Sequence, residues 1–398
     1  MAPLASEAPA LAESYSYALM YLANEVREDP STAACVLRAA SRSTFPLLRL
    51  PPEIIYEIIS FLSPSELARI LALSRRLKAI VERVLYRDLE PNTTRLIPCL
   101  KTIVAYPSVA LVTRRLSICD LTSRYDMLSG YLSLLGRALH SMPALTDLTL
   151  LLHGPHAKYF LGCPFRLRSL STTLAWDDDF ARWMEEQSEL SSVMFGGALI
   201  KNAILPPRAL PGISQISATP LILSSLVPGR PVRGVEICLL QPEYMNDDIM
   251  RIITQILLFS TKPISSIQII AHIESTTETL KALNTIPENI PKLDSFALHV
   301  GHGPFTDEFL QNLDTFMSGF EYLRSITFMS RSIEGPLSDH AALVNLATGW
   351  HKLCPTLECV SFPGLSLVRN IRYGWVTLED LECMLRDRNA LARWMTRS

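Results

Sequence analysis

The chain has no Cys-x-x-Cys pair. Its eight cysteines (Cys35, Cys99, Cys119, Cys163, Cys238, Cys354, Cys359 and Cys383) are scattered, whereas disulfide frameworks and zinc ribbons need close, regular spacing. Reduced, buried thiols are expected instead. Charge of one sign is not in excess either: Lys and Arg number 37 against 39 Asp and Glu, which leaves no basic field to hold a phosphate backbone. Nucleic acid is therefore not an expected partner. Long apolar runs are missing too, since the stretch from Ile249 to Phe259 is broken by Arg251 and a membrane crossing needs about 20 apolar residues. Glu7 and Glu13 stand near the start without a basic leader, which speaks against a signal peptide. There is no Gly-x-Ser-x-Gly elbow, no Walker loop and no dinucleotide fingerprint, so neither catalysis nor a cofactor is expected. Together these absences predict a soluble intracellular protein, cytoplasmic or nuclear, that acts by binding.

What is present is apolar material. A hydrophobic fraction of 48% over 398 residues supplies a large core, in two or three domains or in a small domain joined to a repeat array. The densest helix punctuation lies between Leu50 and Asp88. Pro51 and Pro52 preset the first turn, and Glu53 sets negative charge near the positive end of the helix dipole. In the helix that follows, Ile54, Ile58, Phe61 and Leu62 fall on one face. Ser63-Pro64-Ser65-Glu66 fits a capping box and opens a second helix, with Leu67, Ile70 and Leu71 facing inward. After Ser74 a third helix sets Leu77, Ile80, Val81, Val84 and Leu85 on one side. So small a core usually needs a staple, a metal or a partner, and the segment contains neither Cys nor His.

The run LPPEIIYEIISFLSPSELARILALSRRLKAIVERVLYRDLE resembles an F-box: Leu50, Pro51, Glu53, Ile54, Ile58, Leu62, Ser63, Glu66, Leu67, Leu71, Ser74, Arg75 and Arg76 fit the family pattern. At one position it departs, with aliphatic Leu77 where the family usually carries an aromatic residue. The resemblance implies docking on the Skp-type adaptor of a cullin-RING (SCF-type) ubiquitin ligase. It implies Leu50, Pro51, Ile54 and Ile58 as anchors, with Leu62, Leu67 and Leu71 continuing the contact. Helix-into-groove recognition of this kind rests on a few buried anchors. Arg75, Arg76 and Lys78 read as a solvated face.

Beyond residue 95 one phrase recurs, apolar-x-x-apolar-x-apolar. It is found at Leu145/Leu148/Leu150, Leu190/Val193/Phe195, Ile213/Ile216/Ala218, Val232/Val235/Ile237, Ile264/Ile267/Ile269, Leu293/Phe296/Leu298, Leu323/Ile326/Phe328 and Leu357/Val360/Phe362, with weaker copies at Leu116/Ile118 and Leu167/Leu170. Chance alone matches so permissive a phrase on the order of 30 times at this hydrophobicity, so the spacing carries the weight. The middle residues recur every 19 to 34 positions, and the intervals hold helical patterns over 127–139, 180–187, 247–259, 276–283, 307–317 and 340–353. The region resembles a degenerate leucine-rich-repeat solenoid, in which strand and helix alternate. No asparagine ladder accompanies it, since the corresponding places hold His153, Ala198, Leu221, Leu240, His272, Gly301, Arg331 and Leu365.

Side chains alternate along a strand, so the residue between the last two apolar positions of each phrase belongs to the opposite, concave face. These residues include Thr149, Ser171, Met194, Glu236, Gln268 and Thr327, the candidates for contact with a protein target. The face is small-residued and nearly uncharged, which favours a contact driven by shape. Two His-x-x-His pairs, His153/His156 and His299/His302, lack further ligands at fixed spacing and read as loop histidines, so no metal site is expected. The Asp177-Asp178-Asp179 run reads as a helix cap.

The expected fold is α/β: a terminal segment over 1–44, the three-helix F-box-like module over 45–90, the irregular repeat solenoid over 95–377, and a capping helix over 378–398. The expected role is the substrate receptor of an SCF-type ligase, whose partners are the Skp-type adaptor with its cullin complex and a protein target of unknown identity. The alternatives are a ligase-independent repeat scaffold, with Ile54, Ile58 and Leu62 covered by residues after 95, and a metal-dependent hydrolase built on a His-x-x-His pair.

Overall fold

The computed structural model describes residues 51–70, 75–119, 129–152, 154, 157–201, 203–239, 245–301, 303–335, 337 and 339–381. They group into two compact units. Among these residues the first takes in those up to Ile118 with 129–147 and Cys163–Phe165; the second takes in Cys119, those within 148–162 and those from Arg166 on.

The first unit begins with α1 (Pro52–Ser60), α2 (Pro64–Ile70) and α3 (Arg75–Leu85). Next come β1 (Asp88–Leu89), α4 (Thr93–Ala105), α5 (Pro107–Ala110), β2 (Arg115–Cys119) and α6 (Ser129–His140). β1 and β2 pair in parallel, Leu89 opposite Leu116. Asn92 caps α4 by accepting the Arg95 N–H at 3.1 Å. α4 packs on α6, with Leu96, Leu100 and Ile103 buried on the one and Leu132, Leu135 and Leu139 on the other.

In the second unit the sheet runs in chain order. Its neighbours are β3 (Asp147–Leu151), β4 (Ser169–Thr172), β5 (Ser192–Phe195), β6 (Gln215–Ala218), β7 (Gly234–Leu239), β8 (Ser266–Ala271) and β9 (Ser295–Val300). After β10 (Phe305–Thr306), which pairs apart from this sheet with β12 (Ile333–Glu334), the sheet continues through β11 (Ser325–Met329) and β13 (Cys359–Phe362). It closes with β14 (Leu365–Asn370) and β15 (Gly374–Thr377). Pairing is parallel from β4 to β13 and antiparallel in the last hairpin.

Each of the ten apolar phrases falls on a strand, and the middle residues are in register. Leu170 faces Val193, then Ile216, Val235, Ile267, Phe296, Ile326 and Val360. None of these is more than 3% exposed, so the row is a continuous apolar spine. The parallel neighbours are joined by a short 3-10 turn (Ala157–Tyr159), α7 (Asp178–Glu185), α8 (Pro220–Leu226), α9 (Asp247–Leu258), α10 (Thr276–Asn289), α11 (Asp307–Gln311), α12 (Asp314–Ser318) and α13 (His340–Leu353). Local chemistry starts several of them: Asn246 accepts the Ile249 N–H at 2.9 Å and Ser275 the Glu278 N–H at 3.4 Å. The single helix expected over 307–317 is two, parted at Asn312 and Leu313. A helical turn begins at Leu378, and the rest of the expected capping helix lies outside the described residues.

A second column runs beside the spine, one residue before each strand. The carbonyl of Arg168 accepts the N–H groups of Ser191 and Ser192, that of Ser191 accepts those of Ser214 and Gln215, and that of Ser214 those of Arg233 and Gly234. Arg233, Ser265, Asp294 and Arg324 repeat the pattern onward to Cys359. Hydroxyls reinforce it: Ser191 Oγ donates to Arg168 O at 3.0 Å, Ser214 Oγ to Ser191 O at 3.1 Å and Ser265 Oγ to Arg233 O at 3.3 Å. These bonds satisfy turn backbone at the strand's start, in the absence of an asparagine ladder at its end.

Arg230 fastens the least regular stretch, between β5 and β7. Only 1% exposed, it donates from Nε to Ala209 O at 2.9 Å, from Nη1 to Ser225, Leu226 and Pro228 O at 3.0, 3.1 and 3.2 Å, and from Nη2 to Pro206 and Leu205 O at 3.0 and 3.4 Å. Ser225 and Leu226 belong to the last turn of α8, where carbonyls have no helical partner. Burial lowers the Arg230 pKa from its ordinary value.

Candidate functional site

α1, α2 and α3 close over a cluster of their own: Ile55, Ile59, Leu62, Leu67, Ile70, Leu77, Ile80 and Val81, with Tyr56, Phe61, Val84 and Leu85 packed on its edge. α1 starts where Pro51 O accepts the N–H groups of Ile54 and Ile55 at 3.1 and 3.2 Å. The capping box forms as the sequence predicts. The Glu66 carboxylate accepts the Ser63 N–H at 2.9 Å and its hydroxyl at 2.8 Å, while Glu66 N–H reaches Ser63 Oγ at 3.4 Å. Arg87 Nη1 donates to Tyr56 Oη at 2.7 Å, tying the chain after α3 back to α1, and this bond raises the Arg87 pKa above its ordinary value.

α1 therefore carries two adjacent apolar stripes. Ile55, Ile59 and Leu62 point into the cluster. Ile54 and Ile58, four residues apart on the neighbouring stripe, are half-buried, and Pro51, Glu53 and Glu57 are exposed around them. Pro51, Ile54 and Ile58 thus lie where the docking anchors are expected, with carboxylates at the edge. Leu62 and Leu67 do not continue that surface. At 6% and 3% exposure they are core residues of the module, so their side chains are unavailable to a partner in this conformation. Leu77, in the usual aromatic slot, is 4% exposed in the same core. Leu50 and Leu71 lie outside the described residues. Lys78 is exposed and pairs with Glu82 at 3.7 Å, as a solvated face requires.

In the second unit the residues between the apolar positions form one line. Ser171 faces Met194, then Ser217, Glu236, Gln268, Ala297, Thr327 and Ser361. All but the exposed Met194 are half-buried, and Thr149 on β3 is half-buried as well. Glu236 is the one charged group in the line. Its carboxylate accepts from Ser217 Oγ on one side and from Gln268 Nε2 at 2.6 Å on the other, and Gln268 Nε2 also lies 3.4 Å from His299 Nδ1. Burial pushes the neighbouring Cys238 thiol up; the Ser217 hydroxyl opposes this and the Glu236 charge adds to it. Cys238 is therefore a protonated thiol at neutral pH.

The Asp177 carboxylate accepts the Phe180 N–H at 2.8 Å and caps α7, while Asp178 and Asp179 pair with Lys201 and Arg182. His153, His156 and His302 lie outside the described residues. Among the described residues no three His, Cys, Asp or Glu groups converge as metal ligands, and no helix is long and apolar enough to cross a membrane. The pre-strand column and Arg230 are missing from the sequence reading. The column's signal is the polar residue that follows the first apolar position of each phrase, as in Ser191, Ser214 and Ser265.

Comparison with known families places an F-box-like match on residues 47–90, the stretch that holds the three helices and β1. No curated protein matches the chain.

Proposed function

We propose that this chain is the non-catalytic substrate receptor of an SCF-type ubiquitin ligase and works inside the cell. The F-box-like module would hold the Skp-type adaptor, and through it the cullin. The strand–helix array after residue 95, read as an irregular leucine-rich-repeat-like solenoid, would hold a protein target. Ubiquitin transfer then follows from proximity, with the chemistry left to the ligase's other subunits. The observation that carries this reading is the coincidence of the F-box-like match with a module whose buried cluster leaves Pro51 exposed and Ile54 and Ile58 only half-buried. The solenoid reading is supported by the in-register spine from Leu170 to Val360.

The test is co-purification with the Skp-type adaptor. Wild type is expected to recover it, and Leu50→Ala/Pro51→Ala and Ile58→Asp to lose it roughly tenfold or more, as truncation of central anchors does. Equal recovery by folded variants, or none by wild type, overturns the reading. A second reading, the ligase-independent scaffold, draws on Tyr56, Arg87 and Arg114: the Tyr56–Arg87 bond and the acceptance of the Arg114 and Arg115 N–H groups by Arg87 O join the module to the first parallel strand pair, as an end cap would. Its forecast that Leu62 be covered by residues after 95 is not supported by the module's own cluster.

A further inference from the structure

The outward line of the sheet ends in a cleft. Thr327 and Ser361, paired in register on β11 and β13, line it together with the closing hairpin and the helical turn that follows. Its volume is about 770 Å³, within the range of about 300–1,000 Å³ in which pockets engulf a ligand. Two apolar side chains in the lining, Met329 and Leu378, are 47% and 45% exposed. Glu379 and Asp380 supply two carboxylates, and neither joins an ion pair among the described residues. Among the described residues no Lys or Arg lines the cleft, and His340 does. Along the same face, from Ser171 to Ser361, the one charged group is again a carboxylate, that of Glu236.

We propose that this cleft seats a short segment of the target that carries a Lys or Arg beside a Leu or Met. The inference rests on the target-binding reading above and gives it a place and a chemistry. The apolar side chain fills the space between Met329 and Leu378, and the cation answers Glu379 and Asp380. A cation set beside these two carboxylates steers encounter and fixes register, while a phosphorylated or acidic segment meets like charge. The line from Thr327 back to Glu236 crosses three strand spacings, about 14 Å, which about five extended residues span.

The test pans a phage-displayed library of random heptapeptides on the full chain purified with its adaptor and measures the best peptide by fluorescence anisotropy. Selected peptides are expected to pair Lys or Arg with Leu or Met, and to bind more weakly as salt is raised. Glu379→Lys/Asp380→Lys, which alters exposed positions, is expected to weaken binding roughly tenfold or more with unchanged melting temperature and unchanged adaptor recovery. Acidic or uncharged selections, no selection at all, or equal binding by the folded variant overturns the proposal. So does a roughly tenfold gain in affinity in a chain ending at Leu381, because residues 382–398 would then be the occupant. Loss of adaptor recovery by wild type is a separate result that strikes the ligase reading and leaves the cleft measurement standing.

Discussion

In the three-helix module the buried cluster holds, among the described residues, eight side chains from Ile55 to Val81. In the strand array each parallel strand adds to a spine that stays in register from Leu170 to Val360, and the carbonyl column beside it links one turn of chain to the next. The two regions use the same residue types and hold them by different means. A small cluster has little to spread a loss over, because a core of this size rarely supplies more than about 3–5 kcal/mol. A stacked array spreads the loss over adjoining interfaces. The difference fits the proposed roles: a module whose apolar surface is completed by a partner, and an array that keeps its shape alone.

The largest expected effect tests that contrast directly. Ile59→Ala and Leu298→Ala each empty a fully buried site, and each is expected to cost about 2–5 kcal/mol. In the module that approaches the whole available stability, so hydrogen exchange over 52–85 should become fast throughout. In the array the same truncation should loosen β9 and its neighbours only. Adaptor binding should restore protection to Ile59→Ala, since a ligand of the folded state stabilises it by mass action. Equal, global loss of protection in both variants would erase the distinction between the regions.

Next in size is Arg230→Met. The guanidinium meets only carbonyls from 205 to 228, and its removal leaves those of the buried Leu205 and Leu226, and four part-buried ones, without this donor. Hydrogen bonds to a charged group contribute about 1.5–3 kcal/mol each, so the loss should be about 3 kcal/mol or more. It should be confined to the stretch from β5 to β7, where the spine residues stand 19 to 23 positions apart, against 29 to 34 from β7 to β13. Arg230→Lys should recover part of it, because an ammonium reaches fewer carbonyls than the planar fork. Exchange that rises as much around β9 as around β6 would show the array to be one cooperative body.

What the sequence made legible follows the same division. The capping box at Ser63 and Glu66 is local and could be read at once, and the helix at His340–Leu353 matched its expected span. The facing of α1 was only half legible. Ile54, Ile55, Ile58, Ile59, Phe61 and Leu62 make a stripe wider than one face, so periodicity alone does not tell Ile54 and Ile58 from the inward pair Ile55 and Ile59. α4 was missed because Pro98 within it reads as a breaker, and α8 because its seven residues fall below the length at which a period is visible. Arg230 looks like any loop cation until the chain folds around it. The cleft needs the closing hairpin, whose antiparallel turn departs from the strand–helix alternation read up to that point.

The smallest expected effect concerns the carbonyl column. Ser214 both donates its N–H to Ser191 O at 2.9 Å and adds its hydroxyl at 3.1 Å, while its own carbonyl accepts from Arg233 and Gly234. Ser214→Ala removes only the hydroxyl bond, at a half-buried position, and should cost about 0.5–1 kcal/mol in urea unfolding. The informative variant is Ser191→Ala/Ser214→Ala/Ser265→Ala. Water can replace each lost donor separately, so independent positions give a sum of about 2 kcal/mol. The carbonyl of Ser191 serves Ser214, however, and Ser191 itself donates to Arg168 O. If the polarised bonds reinforce one another, the triple variant exceeds the sum. A triple variant that unfolds at the wild-type midpoint would reduce the hydroxyls to bystanders and leave the array held by its spine and backbone bonds alone.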